Sequence, residues 1–547
     1  MDKILFINPP NITFNDFINP SYNIVQKKYG NYGNVLTDMP LGILSMSAYI
    51  KNHIATETKL VDFNIVLNKL ESFDFSSFTE FFRDYFSNPD IADYAPSIVG
   101  ISVLFTPAYQ NMLDIGRCCR EIFPNAIIVA GGGVPTNAYR EIFRDSACFD
   151  ALCYGEGEKP LLGLVKARDK LKYLEESPSW ITRQKVKSRQ TFKYDFIENL
   201  DEIPFYDYGI LNTSEYGLNP VITTFASLDE KKQNFHVFHV STSRGCPFRC
   251  SFCSSSTVHG RRMRYHSVSR VREDFKRLKD QYGAKTIVFQ DDHFMADRQR
   301  AFEIIDIVKE LQLTPVFQSG LALYALDRKM LEALKRAGVN PLVLSVESGS
   351  NRVLKEIMHK PHNLSIVKRV VDNCRELGIY TDVNILIGLP GETKQDIEDT
   401  RAFLKTINAT WFRINKATPL VGSEMLDICL KKNYLKGNYL DCNFKKAIIE
   451  TEDFTAEYIQ EMAYFLNLEL NFVYNSDFRL GNYEVALKGF ENAIRARNDH
   501  AIAYYCAAKC YEKLGNLEKA KEYTDIAKMN AKNPFWRRYV DMFDIPI

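Results

Sequence analysis

Three cysteines that lie close together in the sequence have the spacing of iron–sulfur cluster ligands. Cys246, Cys250 and Cys253 fall within the segment Gly-Cys-Pro-Phe-Arg-Cys-Ser-Phe-Cys, which follows a predicted strand. A [4Fe–4S] cluster normally takes four thiolates, so three thiolates from one loop leave one iron free for another ligand. Iron held in this way can chelate the amino and carboxylate groups of S-adenosylmethionine (SAM) and pass one electron to its sulfonium. The spacing therefore predicts an enzyme that cleaves SAM to a 5′-deoxyadenosyl radical.

A zinc site is the main alternative for these cysteines. Structural zinc is tetrahedral and usually takes paired CxxC units, and the chain has no second CxxC. His259 and His266 lie close enough in sequence to supply a fourth ligand, so zinc stays an alternative at this point. The remaining cysteines have no metal-ligand spacing, and we predict that they are reduced thiols, mostly buried. They are Cys118, Cys119, Cys148, Cys153, Cys374, Cys429, Cys442, Cys506 and Cys510.

Length and composition indicate a multidomain globular protein. A chain of 547 residues is too long for one hydrophobic core, and its 46% hydrophobic and 25% charged residues are ordinary for a globular protein. The net charge of +1 gives no electrostatic reason to expect a nucleic acid or an anionic membrane as partner. No apolar run is long enough for an export signal or a membrane span, so we predict a cytoplasmic protein.

The first third of the chain alternates β-rich runs with helical patterns, which predicts a doubly wound, Rossmann-like α/β domain over residues 1–170. Its predicted strands are KILFINPP, TKLVDFNI, SIVGISVLF, AIIVAGGG and DALCYGEG. Ligands of open parallel sheets bind at the carboxyl edge of the strands, where the glycine runs at 131–133 and 155–157 fall. Residues 171–235 lack clean periodicity and are predicted to be a linker.

The same alternation resumes over residues 236–425 and predicts a partial (β/α)6 barrel. Its six predicted strands are HVFHVSTSRG, TIVFQDD, PVFQSG, PLVLSVES, YTDVNILIG and WFRINKATPL. The functional residues of such barrels lie at the carboxyl ends of the strands. The cysteine segment follows the first of these strands and so belongs at the barrel mouth.

The tail, residues 426–547, is predicted to be helical and contains a repeat of 34 residues. Leu480-Gly481-Asn482 recurs as Leu514-Gly515-Asn516, and two alanines recur at the same offset. This is the period of tetratricopeptide (TPR) repeats, although two ordinary helix pairs remain the alternative. Fewer than three repeats rarely fold alone, so the tail should dock on the rest of the chain.

The cysteine motif, with Phe252 before its last cysteine, resembles the signature of the radical SAM superfamily. The resemblance covers about residues 236–425 and implies that SAM is bound by groups following successive strands. These groups are Asp291, Asp292, Ser345, Glu347, Asn384 and Gly388. In that family the second strand contacts the methionine amino group, the fourth can hold the ribose hydroxyls, and the fifth lies near the adenine.

Each of these groups also has an ordinary structural explanation. Asp291 or Asp292 can be a helix N-cap, Glu347 can be a surface acid, and Gly388 can belong to a simple turn. Their regular placement after successive strands favours the cofactor site, because barrels assemble ligand sites from several strand ends.

An α/β domain followed by this barrel resembles the cobalamin-dependent radical SAM enzymes. The resemblance rests on INPP near the start, Pro-Leu-Gly at 40–42, the glycine loop at 131–136 and Tyr-Gly-Glu-Gly-Glu at 154–158. Glycines would let the backbone approach the flat corrin closely. The implied cobalamin contacts are Ser102, Thr106, Gly131, Gly132, Thr136, Gly155 and Glu156.

The chain departs from related proteins at two places. The Asp-x-His-x-x-Gly signature of cobalamin mutases is absent, because Asp62-Phe63-Asn64 contains no histidine. Val134 stands where family members often have histidine in the glycine loop. The first departure argues against mutase chemistry, and the second bears on cobalamin affinity.

The resemblance implies a methyltransferase that acts on an unactivated carbon or on phosphorus through the deoxyadenosyl radical and methylcobalamin. A cobalamin-dependent cyclase or rearrangement enzyme is one alternative, and a TPR-type peptide-binding or adaptor protein is another. The implied partners are a small-molecule or peptide substrate and a reductant such as flavodoxin or ferredoxin. The sequence assigns no catalytic acid or base.

Overall fold

The computed structural model describes residues 1–20, 24–217 and 236–547. Part of the predicted linker, 218–235, lies outside the described residues. The chain forms two compact units. Unit 1 contains the described parts of Met1–Gly217, Phe235–Ala296 and Pro419–Asn443, and unit 2 contains Asp297–Thr418 and Phe444–Ile547. This division differs from the predicted domains, because the start of the predicted barrel belongs to the same unit as the N-terminal sheet.

The strands and helices of the described residues alternate along most of the chain. The strands are β1 (Asp2–Asn8), β2 (Ile24–Lys27), β3 (Gly30–Gly33), β4 (Thr56–Asp62), β5 (Ile98–Ser102), β6 (Ile127–Gly131), β7 (Ala151–Cys153), β8 (Trp180–Ile181), β9 (Val237–Val240), β10 (Ser243–Arg244), β11 (Arg264–Tyr265), β12 (Thr286–Phe289), β13 (Thr314–Phe317), β14 (Leu342–Glu347), β15 (Thr381–Ile387) and β16 (Trp411–Lys416). The α-helices of unit 1 are Phe14–Ile18, Leu41–His53, Phe63–Lys69, Phe78–Ser87, Pro89–Ala92, Tyr109–Ile122, Gly133–Asn137, Tyr139–Asp145, Glu158–Lys166, Lys170–Glu176, Arg183–Lys187, Ser256–His259, Val268–Tyr282 and Glu424–Lys432. Those of unit 2 are Arg298–Glu310, Arg328–Arg336, Leu364–Glu376, Lys394–Leu404, Ala456–Leu468, Ser476–Arg479, Tyr483–Ala496, Ala501–Lys513, Leu517–Asn530 and Pro534–Met542.

The N-terminal sheet has the strand order β4-β1-β5-β6-β7-β8, and the first five of these strands are parallel. The chain runs from β1 to β4 on one side and then returns to β5 on the other side. This reversal places a topological switch point between the carboxyl ends of β1 and β5, where ligands of doubly wound sheets bind. The five strands predicted for this domain are confirmed.

The predicted linker contains the last strand of this sheet. β8 pairs antiparallel with β7, with Cys153 opposite Trp180. The buried Lys185 ammonium donates hydrogen bonds of 2.7 to 2.9 Å to three backbone carbonyls between residues 174 and 180. The predicted linker therefore contributes a strand to the sheet, and this strand was not predicted because two residues are too few to show a β-pattern.

All six strands predicted for the barrel form. In unit 1, β9 and β12 are parallel, with Val237 opposite Thr286. In unit 2, β14, β15 and β16 form a parallel sheet. The antiparallel pair β10–β11 was not predicted, and it encloses the cysteine segment.

The C-terminal tail is helical, as predicted, and its residues from Phe444 to Ile547 belong to unit 2, where they pack on β16. The Asn471 amide donates to the carbonyl of Phe412 at 2.7 Å and accepts from its N–H at 2.8 Å. Gly481 and Gly515 lie in equivalent turns before Tyr483–Ala496 and Leu517–Asn530, with φ values of 82° and 81°. The 34-residue offset thus joins equivalent structural positions, and the assignment to the TPR class stays a prediction. No helix among the described residues is long and apolar enough to cross a bilayer.

Candidate active site

The cysteine segment forms the connection between β10 and β11. Ser243 pairs with Tyr265 across this hairpin. Gly245, directly before the first cysteine, has φ of 93°, and a Cβ on it would lie 2.4 Å from the carbonyl oxygen of Arg262. Only glycine fits this position, because a side chain would clash with the returning strand and would also strain the backbone. The two sides of the hairpin are therefore in close contact at the base of the cysteine loop.

The three predicted ligands differ in exposure from the other cysteines. Cys246 and Cys250 are half-buried and Cys253 is exposed, whereas the nine cysteines predicted to be buried are all buried. Partial exposure suits thiols that must take up a metal. Burial raises the pKa of Cys246 to about 11, so iron binding must displace its proton. Over the described ranges no three His, Cys, Asp or Glu side chains form a ready metal site, and the placement of the three thiolates around iron stays a prediction.

The two acids after β12 hold the backbone that leads into the cysteine loop. The buried Asp291 carboxylate accepts from the N–H and hydroxyl of Thr242, at 3.1 and 2.8 Å, and from the Ser243 hydroxyl at 2.5 Å. Asp292 accepts from the N–H of Gly245 at 3.0 Å. Both acids thus position the loop, and their predicted contact with SAM stays a prediction.

A buried ion cluster joins the cysteine hairpin to the carboxyl edge of the N-terminal sheet. Glu156, in the loop after β7, accepts two hydrogen bonds from the Arg264 guanidinium at 2.6 and 2.9 Å. Its carboxylate also lies 3.2 Å from Arg244 and accepts from Nδ1 of His259 at 2.8 Å. Arg244 precedes the loop, while His259 and Arg264 follow it. One side chain of the sheet domain therefore holds both ends of the loop.

Charge is balanced within this cluster. Glu158 accepts from Arg244 at 2.7 Å and from the Ser45 hydroxyl at 2.5 Å, so two carboxylates face two guanidiniums. Burial alone would raise the pKa of Glu156, but Arg244, Arg264 and His259 hold that pKa well below its usual range. The carboxylate stays ionised because its partners replace the lost hydration. Glu156 is thus engaged by protein cations, and its predicted contact with cobalamin stays a prediction.

The same contacts bear on the zinc alternative. His259 is bonded to Glu156, and Nδ1 of His266 lies 3.4 Å from a carboxylate oxygen of Asp201. Of the two histidines that a zinc site would recruit, His259 is therefore bonded to a carboxylate and His266 lies beside one.

The glycine loop after β6 is packed against the backbone that follows β5. Gly132 has φ of 104°, and a Cβ on it would lie 2.5 Å from the carbonyl oxygen of Val103. A Cβ on Gly133 would lie 2.8 Å from the carbonyl oxygen of Leu104. Gly131 itself pairs with Ser102 at the ends of the two strands. Gly132 and Gly133 are thus required by close contact within the chain, and the predicted contacts of Gly131 and Gly132 with cobalamin stay predictions.

Three further predicted cobalamin contacts are engaged within unit 1. The buried Thr136 hydroxyl accepts from the N–H of Gly155 at 3.2 Å. A Cβ on Gly155 would lie 2.5 Å from the ring of Tyr194. The buried Thr106 hydroxyl donates to the carbonyl of Cys442 at 3.1 Å. Thr136, Gly155 and Thr106 are therefore held at the edge of the sheet by contacts with other residues of unit 1.

Sequence reasoning missed two apolar side chains at the same edge. Leu104 is 61% exposed and Phe105 is 45% exposed, directly after β5 and beside the glycine loop. Exposed apolar groups at a switch point fit a large flat ligand such as the corrin ring. Their sequence signal was the apolar run Val-Leu-Phe, which continues past the end of the strand.

The predicted SAM residues of unit 2 lie at neighbouring strand ends. Ser345 and Asn384 are register partners on β14 and β15. Glu347 follows at a β-bulge with φ of 71°, and its carboxylate lies 3.5 Å from the Lys360 ammonium. A left-handed glutamate is strained, and such strain is concentrated at functional sites. Ser345, Asn384 and Glu347 thus lie at neighbouring strand ends within unit 2, and their contact with SAM stays a prediction.

Gly388 begins a tight loop after β15. It has φ of 88°, and a Cβ on it would lie 2.7 Å from Cγ2 of Ile459, so it lets the helix Ala456–Leu468 approach. The Glu392 carboxylate closes this loop by accepting from the N–H groups of Gly388 and Leu389 at 2.6 and 3.1 Å. Burial raises the pKa of Glu392 to about 8. Glu392 was not predicted as a separate site residue.

Comparisons with known proteins agree with this organisation. Residues 40–165 match the B12 binding domain, and residues 240–404 match the Radical SAM superfamily. An uncharacterized methyltransferase of Pyrococcus horikoshii is 29% identical, over 78% of this chain and 86% of the relative. Cytidylyl-2-hydroxyethylphosphonate methyltransferase of Streptomyces wedmorensis is 26% identical, over 72% of this chain and 79% of the relative.

Solved structures show the same fold. The cobalamin-dependent SAM radical enzyme OxsB, solved with aqua-cobalamin and SAM, has a TM-score of 0.60 at 14% identity, over 99% of this chain and 80% of that chain. The two matched domains are the parts of the chain that contain the exposed apolar edge and the cysteine hairpin. The chain is therefore an enzyme that contains a B12 binding domain and a radical SAM domain, and its cofactors are a [4Fe–4S] cluster, SAM and cobalamin.

Proposed function

We propose that this enzyme transfers a methyl group to an unactivated carbon or to phosphorus in a small molecule or peptide. The cluster supplies one electron that splits SAM into the hydrogen-abstracting radical, and cobalamin supplies the methyl group. The names of the two relatives, both methyltransferases, support this reaction over the cyclase alternative. The observation that carries the proposal is the buried cluster around Glu156, because it fixes the cysteine hairpin on the carboxyl edge of the cobalamin domain.

The chain's own residues have distinct proposed roles at this site. We propose that Cys246, Cys250 and Cys253 bind the iron, since they are the cysteines of the described residues that are not buried. Asp292 holds the N–H of Gly245 and so sets the start of the loop. Rigid support of this kind is needed because a radical reaction depends on close, fixed placement of the reacting groups.

The apolar edge has a role in excluding water. Leu104 and Phe105 offer exposed hydrocarbon next to the glycine loop, where the corrin would lie in our proposal. A dry surface protects reactive species from side reactions with solvent. Gly131 and Ser102 lie at the same strand ends and would border the ring.

In unit 2 we propose that Ser345, Glu347, Asn384 and the Gly388 loop contact SAM. The register of β14 and β15 supports a common site for the first three residues. We also propose that an external low-potential donor such as flavodoxin or ferredoxin reduces the enzyme, and that the enzyme works in the cytoplasm.

Product analysis tests the proposal. Cluster-reconstituted protein is incubated without oxygen with SAM, titanium(III) citrate and hydroxocobalamin, and 5′-deoxyadenosine and S-adenosylhomocysteine are quantified separately. We expect both products, with S-adenosylhomocysteine formed only when cobalamin is present. Formation of 5′-deoxyadenosine alone would favour a cyclase or rearrangement enzyme. Formation of neither product by protein with a full cluster would refute the radical reaction.

A further inference from the structure

Asn137, at the end of the short helix after the glycine loop, forms a polar connection to the cysteine segment. Its amide nitrogen donates to the carbonyl of Gly133 and to the hydroxyl of Thr257, both at 2.8 Å. The Thr257 hydroxyl in turn donates to the carbonyl of Ser254 at 2.7 Å. Ser254 directly follows Cys253. The side chains of Asn137 and Thr257 therefore link the glycine loop to the residue beside the last predicted iron ligand.

The hydrogen bonds of this connection have a fixed direction. Thr257 donates its one hydroxyl proton to Ser254, so its oxygen accepts from the Asn137 amide. Both amide protons of Asn137 are used as well, one by Gly133 and one by Thr257. Hydrogen bonds arranged in series polarise and strengthen one another. Movement of the Gly133 carbonyl therefore perturbs the bonds of Asn137 and, through Thr257, the segment that follows the cysteines.

A third segment of unit 1 holds the same connection from another side. The backbone at Gly422 lies against the Asn137 amide, because a Cβ built on Gly422 would lie 2.4 Å from Cγ of Asn137. Three residues later, the N–H of Met425 donates at 2.8 Å to the carbonyl of Ser251, which lies between the second and third cysteines. Asn137 thus lies where the glycine loop, the cysteine segment and this third segment meet.

We propose that Asn137 couples the two cofactor sites, so that cobalamin bound at the glycine loop stabilises the cysteine segment and slows loss of the iron–sulfur cluster. This inference rests on the proposed function, in which the corrin lies against Leu104 and the glycine loop. Gly133 is packed on the carbonyl of Leu104, so a ring bound there restricts the backbone to which Asn137 is bonded. Ordering by one ligand lowers the cost of ordering for a second ligand at a connected site. Asn137 is thus a positioning residue that acts through Gly133 and Thr257.

Iron release to a chelator, measured with and without cobalamin, tests the coupling. Reconstituted protein is mixed without oxygen with excess chelator, in the absence or in the presence of saturating hydroxocobalamin, and the chelated iron is quantified over time. We expect hydroxocobalamin to slow iron release from wild type about fivefold, at the low end of coupling between two sites. Asn137→Ala and Thr257→Val remove the same hydrogen bond from its two sides, and each should reduce this factor to below about twofold. The double variant should lose no more than either single variant, because the bond between the two residues is shared.

Thr257→Ser is the matched control, because serine keeps the hydroxyl that accepts from Asn137 and donates to Ser254. It should keep the wild-type factor of about fivefold. Urea midpoints of all variants separate the coupling from general stability. A purely structural role of Asn137 would lower the urea midpoint and speed iron release equally with and without hydroxocobalamin, and would leave the protection factor unchanged.

Two results would overturn the coupling. In one, saturating hydroxocobalamin leaves iron release from wild type unchanged. In the other, hydroxocobalamin protects Asn137→Ala and Thr257→Val as well as it protects wild type. Equilibrium dialysis shows in parallel whether hydroxocobalamin binds. A wild type that binds no hydroxocobalamin would refute the cobalamin-dependent reaction proposed above, and the coupling with it, whereas the first two results leave that reaction standing.

Discussion

Replacing Glu156 with glutamine separates the two roles considered for this residue. The change keeps the shape of the side chain and removes its charge. If Glu156 braces the cysteine hairpin, the variant should lose its cluster easily while its affinity for cobalamin changes little. If Glu156 contacts cobalamin, as its sequence position suggests, the affinity for cobalamin should fall and the cluster should persist.

The expected size of the effect follows from the buried contacts. Two guanidinium hydrogen bonds, one further arginine and one histidine converge on this carboxylate. With glutamine at this position, Arg244 keeps Glu158 as its carboxylate partner, whereas Arg264 loses the carboxylate that it binds among the described residues. Breaking a buried ion pair on one side costs about 3–5 kcal/mol because an uncompensated charge stays buried. Since about 1.4 kcal/mol is a factor of ten, a loss of about 3 kcal/mol in holding the hairpin raises its open population about 10²-fold.

Iron release to a chelator measures this opening. Reconstituted wild type and Glu156→Gln are mixed without oxygen with excess chelator, and the absorbance of the iron complex is followed. We expect release from the variant to be about 10²-fold faster, with hydroxocobalamin affinity within about threefold of wild type. Glu198→Gln, which removes an exposed carboxylate paired with Arg262, serves as the control and should release iron at the wild-type rate. Equal release from Glu156→Gln and wild type would refute the bracing role.

Three further predictions follow from individual contacts. Cys250→Ala should abolish cluster absorbance and 5′-deoxyadenosine formation. The control Cys374→Ala, at a buried cysteine, should keep both. Retained activity of Cys250→Ala would contradict the role of Cys250 as an iron ligand. Gly132→Ala should lower the free energy of unfolding by about 2–5 kcal/mol in urea titrations, because it adds a clash to a left-handed backbone. The control Gly437→Ala, at φ of 116° with no atom near the added Cβ, should lower the free energy of unfolding by only about 1–2 kcal/mol. Burial raises the pKa of Glu392 to about 8, so the folded state holds a proton that the unfolded state releases above its ordinary pKa. The free energy of unfolding of the wild type should therefore fall between about pH 4.5 and pH 8, by at most about 1.4 kcal/mol per pH unit. Glu392→Gln should make this fall less steep in urea midpoints measured at pH 5, 7 and 8.5. An unchanged pH dependence would contradict the raised pKa of Glu392.

The succession of strands along the chain and the loop that contains the three clustered cysteines could be predicted from the sequence. The six barrel strands are apolar, β-rich runs bounded by turn residues, and this information is local to each run. Cys246, Cys250 and Cys253 are likewise close in sequence, so their spacing indicates a common loop. β8 escaped prediction because a strand of two residues carries no pattern, and its place depends on pairing with β7.

The partners of the site residues could not be predicted, because they come from distant parts of the chain. Glu156 meets Arg264 across 108 positions, and Thr106 meets the carbonyl of Cys442 across 336. Sequence patterns show which face of an element is buried, but they do not show which side chain will lie opposite. The chemistry of the cofactors was thus determined by short motifs in the sequence. Only the tertiary structure decided that Glu156 holds the cysteine hairpin and that Gly132 is required by the backbone of Val103, since both depend on contacts formed when distant segments pack together.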